Sequence, residues 1–133
     1  MIRTFDYLPL LDQLEDELVE AFRRVLRSGT LIHGPETERF EAEFADFVGA
    51  DHCVAVSSGT AALVLGLRAA GVSAGDEVVT VANTCVPTAS AIRQAGAEPV
   101  FVDVHPDHRM MDPDRVAEVV GPRTRAILPV HLW

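Results

Sequence analysis

From Cys53 onward the chain repeats one unit, a short apolar run, a turn, then a helical period, and few folds accept that pattern. Cys53–Ser57, Glu77–Val81, Glu98–Val104 and Arg125–Val130 read as strands. Thr60–Ala70 and about Val86–Ala95 read as helices, closed by Gly71 and Gly96, and a third helix starts at Asp112-Pro113 and runs to about Val120. Strands that are apolar along nearly their whole length are covered on both faces. The pattern therefore predicts a mostly parallel sheet between two helical layers, a three-layer α/β/α fold. Upstream, Leu11, Leu14, Leu18, Phe22, Val25 and Leu26 recur at helical spacing over Leu10–Arg27, and Ser28-Gly29 stops that helix. Gly34-Pro35 opens a second helix over about Glu36–Phe47, with Phe40, Phe44 and Phe47 on one side. The expected organisation is residues 1–48 as N-terminal helices and 49–133 as βα units.

Within that pattern the stretch Val54–Leu63 is the most informative. It reads as a buried strand, a tight turn at Ser58-Gly59, and a helix from Thr60. The first N–H groups of a helix have no intrahelical partner, and the helix dipole favours an anion beside them. Gly59 admits close approach to the backbone, and Ser58 and Thr60 bring hydroxyls. Two readings stand: a phosphate seat, and a serine-capped helix with no ligand. In parallel sheets ligands sit beyond the carboxyl ends of the strands. Gly59-Thr60, Asn83-Thr84-Cys85, Asp103 and His131 all fall at such ends and are expected to line one crevice.

A chain of 133 residues supports one ordinary domain. Its net charge of −9 argues against nucleic acid or an anionic membrane as a general partner. No apolar run is long enough to span a bilayer, and Met1–Tyr7 lacks the pattern of a secretory leader, so a cytoplasmic location is expected. Cys53 and Cys85 lie in apolar sequence without metal-like spacing and read as free thiols. The dinucleotide fingerprint, the phosphate loop with its lysine and the nucleophile elbow are absent. His105 and His108 with Asp103 and Asp107 suggest a metal set, but His-Pro-Asp-His reads better as a solvated turn. His131 reads as a hydrogen-bonded structural histidine, with a site role kept open by its place at a strand end. Cys85 reads as a packing or cofactor-contact residue, since no paired histidine is evident.

An ordered set of segments resembles one family. Gly34-Pro35 with Phe40-Glu41, Ser57–Leu63, Gly75–Val79, Thr84 with Ala89, Gly96–Val104, Met111-Asp112-Pro113 and Arg123–Leu132 stand in the order and spacing of the DegT/StrS-type sugar aminotransferases. The resemblance implies the large domain of a fold-type-I pyridoxal 5'-phosphate enzyme. It implies transfer of an amino group, usually from glutamate, to a keto sugar carried on a nucleotide, and a homodimer. Ser58, Gly59, Thr60 and Ala61 match the segment that grips the cofactor phosphate. Cys85 falls where many members place a ring over the cofactor; a thiol gives less contact area and no stacking. The loop Thr30–Gly34 matches a region near the substrate and the partner subunit.

The family's roles carry over only in part. All 11 basic residues are arginine, so these residues contain no lysine to hold the cofactor covalently and shuttle its proton. The Asp that pairs with the pyridine nitrogen in the family also lies beyond the matched stretch. The expectation is an N-terminal portion of such an enzyme, cut within the large domain and inactive alone, with no catalytic residue and no metal ligand of its own. The alternative is a truncated, non-catalytic relative that binds a phosphate ligand or docks on a complete subunit. Strands cut from a larger sheet are expected to leave an open edge and uncovered apolar faces.

Overall fold

A computed structural model describes residues 6–132. The segment Met1–Phe5, read above for a leader, and Trp133 lie outside the described residues. The chain divides into two compact units, Met1–Ala55 and Val56–Trp133.

The first unit holds α1 (Leu8–Ser28) and α2 (Pro35–Val48). Each has a proline in its first turn, where the missing N–H costs nothing, and each ends on a left-handed glycine, Gly29 or Gly49. The connecting loop is tight at Gly34, which is buried; a Cβ there would come within 2.9 Å of the Thr30 carbonyl oxygen. Beside it, Arg24 donates to Glu36 at 2.9 Å and Arg39 to the other Glu36 oxygen at 2.7 Å. The Arg24 hydrogen bond is the main cause that holds the Glu36 carboxyl below the usual carboxylate range. Arg24, Thr30, Leu31, Gly34 and Glu36 border a cavity of about 310 Å³. Glu41, on α2, accepts the Ala55 N–H at 2.7 Å. No residue of α1 is buried.

The second unit is the α/β part. It holds α3 (Gly59–Ala69), β1 (Glu77–Val81), α4 (Val86–Ala95), β2 (Glu98–Val102), α5 (Pro113–Val119) and β3 (Thr124–Ile127). The three strands form a parallel sheet in the order β2-β1-β3. Strand β1 is central and pairs Val79 with Val100 on one side and with Ile127 on the other. Its side chains alternate between two cores. Val78 packs with Leu67, Val72, Ile92 and Ala95 on the α3 and α4 side. Val79 and Val81 pack with Val102, Met111, Val116 and Val119 on the α5 side. The unit therefore has three layers. Parallel crossovers are right-handed, and the chain steps one way from β1 to β2 and the other way from β2 to β3. The two crossover helices must then lie on opposite faces, as they do.

The structure corrects the sequence reading in several places. Cys53–Ser57 is not a strand: it pairs with no other strand among the described residues, and Val54 is 75 % exposed. Apolar content alone does not make a strand; a ladder does, and both sides of β1 are already taken by β2 and β3. The sheet thus has three strands where four were expected. Strand β2 stops at Val102, because Val104 turns away to bridge Met111 in antiparallel fashion. Strand β3 ends at Ile127, before Pro129. Cys85 is exposed and Cys53 partly so, not packed in apolar surroundings.

Two predictions follow from the packing around α4. Ile92 is fully buried, so Ile92→Ala lowers the free energy of unfolding by about 2–5 kcal/mol in denaturant titration. Gly96 has a φ of 102°, and a Cβ there would lie 3.3 Å from the Ala74 nitrogen. Gly96→Ala is accordingly expected to destabilise by more than about 1 kcal/mol. A third prediction concerns acid stability. Asp76 accepts the Ser73 N–H at 2.8 Å and the Ser73 hydroxyl at 2.9 Å, and the first of these is the largest cause lowering its pKa. A lowered folded-state pKa contributes stability above the ordinary aspartate value of about 3.9, and that stability is lost as pH falls through the folded value. Asp76→Asn should therefore lower the melting temperature at neutral pH and leave a shallower decline on acidification; an unchanged acid limb would contradict this.

Candidate functional site

Helices α3 and α4 run side by side in the same direction. Their C-terminal ends meet where Gly96 approaches Ala74 and where Arg68 donates to the Gln94 carbonyl at 2.9 Å. Their N-termini therefore lie together at the opposite end, which is the carboxyl end of β1, since α4 follows β1 after only four residues. Two helix starts at one sheet end concentrate unpaired N–H groups and positive dipole ends.

At the α3 start Ser58 is the N-cap, in extended conformation, and its Oγ accepts the Ala61 N–H at 3.1 Å. Ala62 N–H goes to the Ser58 carbonyl at 3.0 Å. The Gly59 and Thr60 N–H groups meet no acceptor among the described residues, and the Ser58 hydroxyl keeps its proton to donate. Gly59 is not in the left-handed region, and a Cβ on it would meet nothing within 4 Å. Neither backbone strain nor protein packing calls for glycine there, and the space beside it is open to a ligand. This fits a phosphate group: two free N–H donors, one hydroxyl, and room where a side chain would stand. Of the four residues predicted to grip it, Ala61 has its N–H already engaged by Ser58.

At the α4 start the turn after β1 is fixed by Thr84, whose Oγ1 lies 2.8 Å from that of the buried Thr88. The Thr84 N–H goes to the Ala82 carbonyl and the Thr88 N–H to the Cys85 carbonyl. Cys85 is left as the N-cap with its thiol exposed and making no capping bond. The Thr84–Thr88 pair was not singled out from the sequence; a threonine four residues from another across a helix start was the available signal.

The remaining candidates lie in the segments that follow the carboxyl ends of β2 and β3. Asp103 to Asp112 forms a hairpin after β2, with His105 and Met110, and Asp103 and Asp112, joined through their backbones. Within it the His105 and His108 rings stack at 4.3 Å. The Nδ1 atoms of His105 and His108 accept the backbone N–H groups of Asp107 and Met110. Both imidazoles thus serve the turn itself. No group of three His, Cys, Asp or Glu side chains among the described residues is arranged for a metal. His131 lies 3.4 Å from the Met110 sulfur through Nδ1, which ties the segment after β3 to this hairpin. No helix among the described residues is long and apolar enough to cross a membrane.

Comparison with known proteins agrees with this layout. The dTDP-3-amino-3,4,6-trideoxy-alpha-D-glucose transaminase of Micromonospora megalomicea subsp. nigra is 46 % identical over 129 residues, covering 97 % of this chain and 34 % of that protein. The crystal structure of S. venezuelae DesV in complex with a ketimine intermediate superposes with a TM-score of 0.94 at 44 % identity, over 99 % of this chain and 36 % of that one. NtdA of Bacillus subtilis, solved with bound cofactor PMP, gives a TM-score of 0.86 at 35 % identity, over 99 % and 31 %. The chain thus spans about a third of the length of the curated relatives it matches. Residues 12–133 match the family described as DegT/DnrJ/EryC1/StrS aminotransferases, and the chain belongs to that family.

Proposed function

We propose that this chain is the N-terminal, cofactor-anchoring portion of a pyridoxal 5'-phosphate-dependent aminotransferase. In the whole enzyme an amino group moves from an amino acid, glutamate by family resemblance, to a keto sugar carried on a nucleotide. The observation that supports this best is the α3 start: unpaired Gly59 and Thr60 N–H groups in the one segment where the family match and the anion-site argument coincide.

In this reading Gly59 and Thr60 donate their N–H groups to the cofactor phosphate, and the Ser58 hydroxyl adds a third bond while its Oγ orients Ala61. Thr84 and Thr88 hold the turn that presents Cys85, whose thiol offers a small polarizable contact to the cofactor ring. Bound pyridoxal phosphate supplies an electron sink for the carbon bearing the transferred nitrogen. Anchoring the phosphate fixes where that sink lies. The chain has no lysine, so it provides binding without the covalent attachment and proton shuttle that turnover needs. The same lack of lysine supports a second reading, a non-catalytic relative that binds a phosphate ligand or docks on a complete subunit.

Gly59 allows a clean test, because its Cβ would disturb no protein contact. Gly59→Ala should leave thermal unfolding unchanged or slightly raised, since alanine is the better helix former. It should weaken pyridoxal phosphate binding at least about tenfold, the equivalent of about 1.4 kcal/mol. Inorganic phosphate should compete for wild-type binding, and pyridoxal without its phosphate should bind poorly. Equal binding by wild type and variant would remove the phosphate seat from this segment. Glutamate-dependent amination of a keto sugar by the chain alone should not exceed that of free cofactor, and measurable turnover would refute its expected inactivity.

A further inference from the structure

Thr84 and Thr88 bring two hydroxyl protons to the one hydrogen bond between them. Their Oγ1 atoms lie 2.8 Å apart, and distance alone does not say which donates. Burial decides it. Thr88 is 7 % exposed, and its hydroxyl has no other partner among the described residues. It does not use the Thr84 carbonyl, the acceptor that helical threonines often take four residues upstream. A proton given by Thr84 to Thr88 would leave the Thr88 proton enclosed with no acceptor, at the full cost of its desolvation. Thr88 therefore donates and Thr84 accepts. The half-buried Thr84 hydroxyl keeps its own proton, and nothing among the described residues accepts it.

That spare proton stands at the carboxyl end of β1, where α3 and α4 both start and both helix dipoles are positive. The Thr84 N–H is tied to the Ala82 carbonyl at 2.9 Å and the Thr88 N–H to the Cys85 carbonyl at 3.0 Å, so the backbone around both hydroxyls is fixed. A hydroxyl whose oxygen already accepts one bond is a stronger donor, and in a positive field the acceptor it suits is an anionic oxygen. We infer that Thr84 donates a hydrogen bond to an anionic oxygen of bound pyridoxal phosphate and that Thr88 is the positioning residue that aims it, roles that rest on the function proposed above. Thr88 does not touch the ligand. It occupies a lone pair on Thr84, which restricts the rotor and turns the remaining proton outward. The cofactor offers two oxygens of this kind, on its phosphate and on the ring phenolate, and either satisfies the chemistry.

The test is equilibrium dialysis of pyridoxal phosphate against the chain and its variants, with thermal unfolding in parallel. Thr84→Val should weaken binding about tenfold, and Thr84→Ser should keep it. Thr88→Val puts a methyl where the buried hydroxyl was and leaves the half-buried Thr84 oxygen free to turn to water. Its melting temperature should match the wild type while binding weakens about fivefold, and Thr88→Ser should restore binding. A merely structural role would move melting and binding together. Proton magnetic resonance should show the Thr88 hydroxyl protected from exchange in the free chain and the Thr84 hydroxyl protected only once the cofactor is added. Competition by inorganic phosphate separates the two oxygens: Thr84→Val weakens the competitor as well where the phosphate is the acceptor, and leaves it unchanged where the phenolate is. Binding that falls in Gly59→Ala but not in Thr84→Val would overturn the role of Thr84 and leave the phosphate seat standing. Binding that falls in Thr84→Val but not in Gly59→Ala would do the reverse. Wild-type chain that binds no cofactor would overturn both, and a Thr84 hydroxyl already protected in the free chain would overturn the assigned direction.

Discussion

The α/β unit depends on the burial of one strand. Val78, Val79, Thr80 and Val81 of β1 are almost completely enclosed, and each face of that strand nucleates a separate core. A strand buried on both faces must satisfy its backbone on both edges, which requires β2 and β3 as neighbours. Thr80, the one polar side chain in the run, is accommodated because its hydroxyl donates to the Leu128 carbonyl at 2.9 Å. That bond also fixes the chain just beyond β3, where it leaves the sheet toward Pro129 and His131. Losing the Thr80 hydroxyl would leave the Leu128 carbonyl without that donor; adding a charge at any of the three valines would leave it unsolvated in a core.

Everything at the functional end is a consequence of that sandwich. Because parallel strands need crossovers, each helix after a strand starts at the carboxyl end of the sheet. Because α3 feeds β1 from the amino end, it also starts there. The positions of Ser58–Ala61 and of Cys85 therefore follow from topology before any side-chain chemistry is considered. Helix α3 makes a modest demand on sequence: a capping serine and a residue small enough to leave its N–H groups approachable. Both requirements are met within two residues, and Ser58 meets two at once by capping with its oxygen while keeping its proton to give.

Much of this was legible because the signals were local. Strand β1 and helix α4 fall at the predicted residues, each marked by an apolar run or a glycine stop. The cap at Ser58 and the helix start at Asp112 were readable from residue type, and both side chains do accept N–H groups. What failed was non-local. Val54-Ala55-Val56 has strand composition, but no strand stands beside it, and no property of those three residues records that. The early end of β2 depends on the Val104–Met111 bridge, seven residues apart. The exposure of Cys85 depends on Thr84 and Thr88 closing the turn beneath it. Features set by local backbone geometry were thus easier to infer than surroundings that come from distant chain.

The distribution of chemistry between backbone and side chain also explains how a family member can lack lysine over this stretch and still keep a coherent fold. In the proposed role, anchoring a phosphate through Gly59 and Thr60 would use main-chain groups that any helix start possesses, so selection for folding preserves them. A proton shuttle uses one specific amine that contributes nothing to folding and cannot be replaced by arginine, whose guanidinium holds its proton at any physiological pH. The eleven arginines of this chain illustrate the separation: Arg24, Arg39, Arg115 and Arg123 form ion pairs with glutamates, and Arg68 donates to a helix carbonyl. Those roles suit a fixed cation with several donors. None calls for a group that gains and loses a proton, so under the proposed function anchoring and reaction chemistry would be carried by different residues and answer to different constraints.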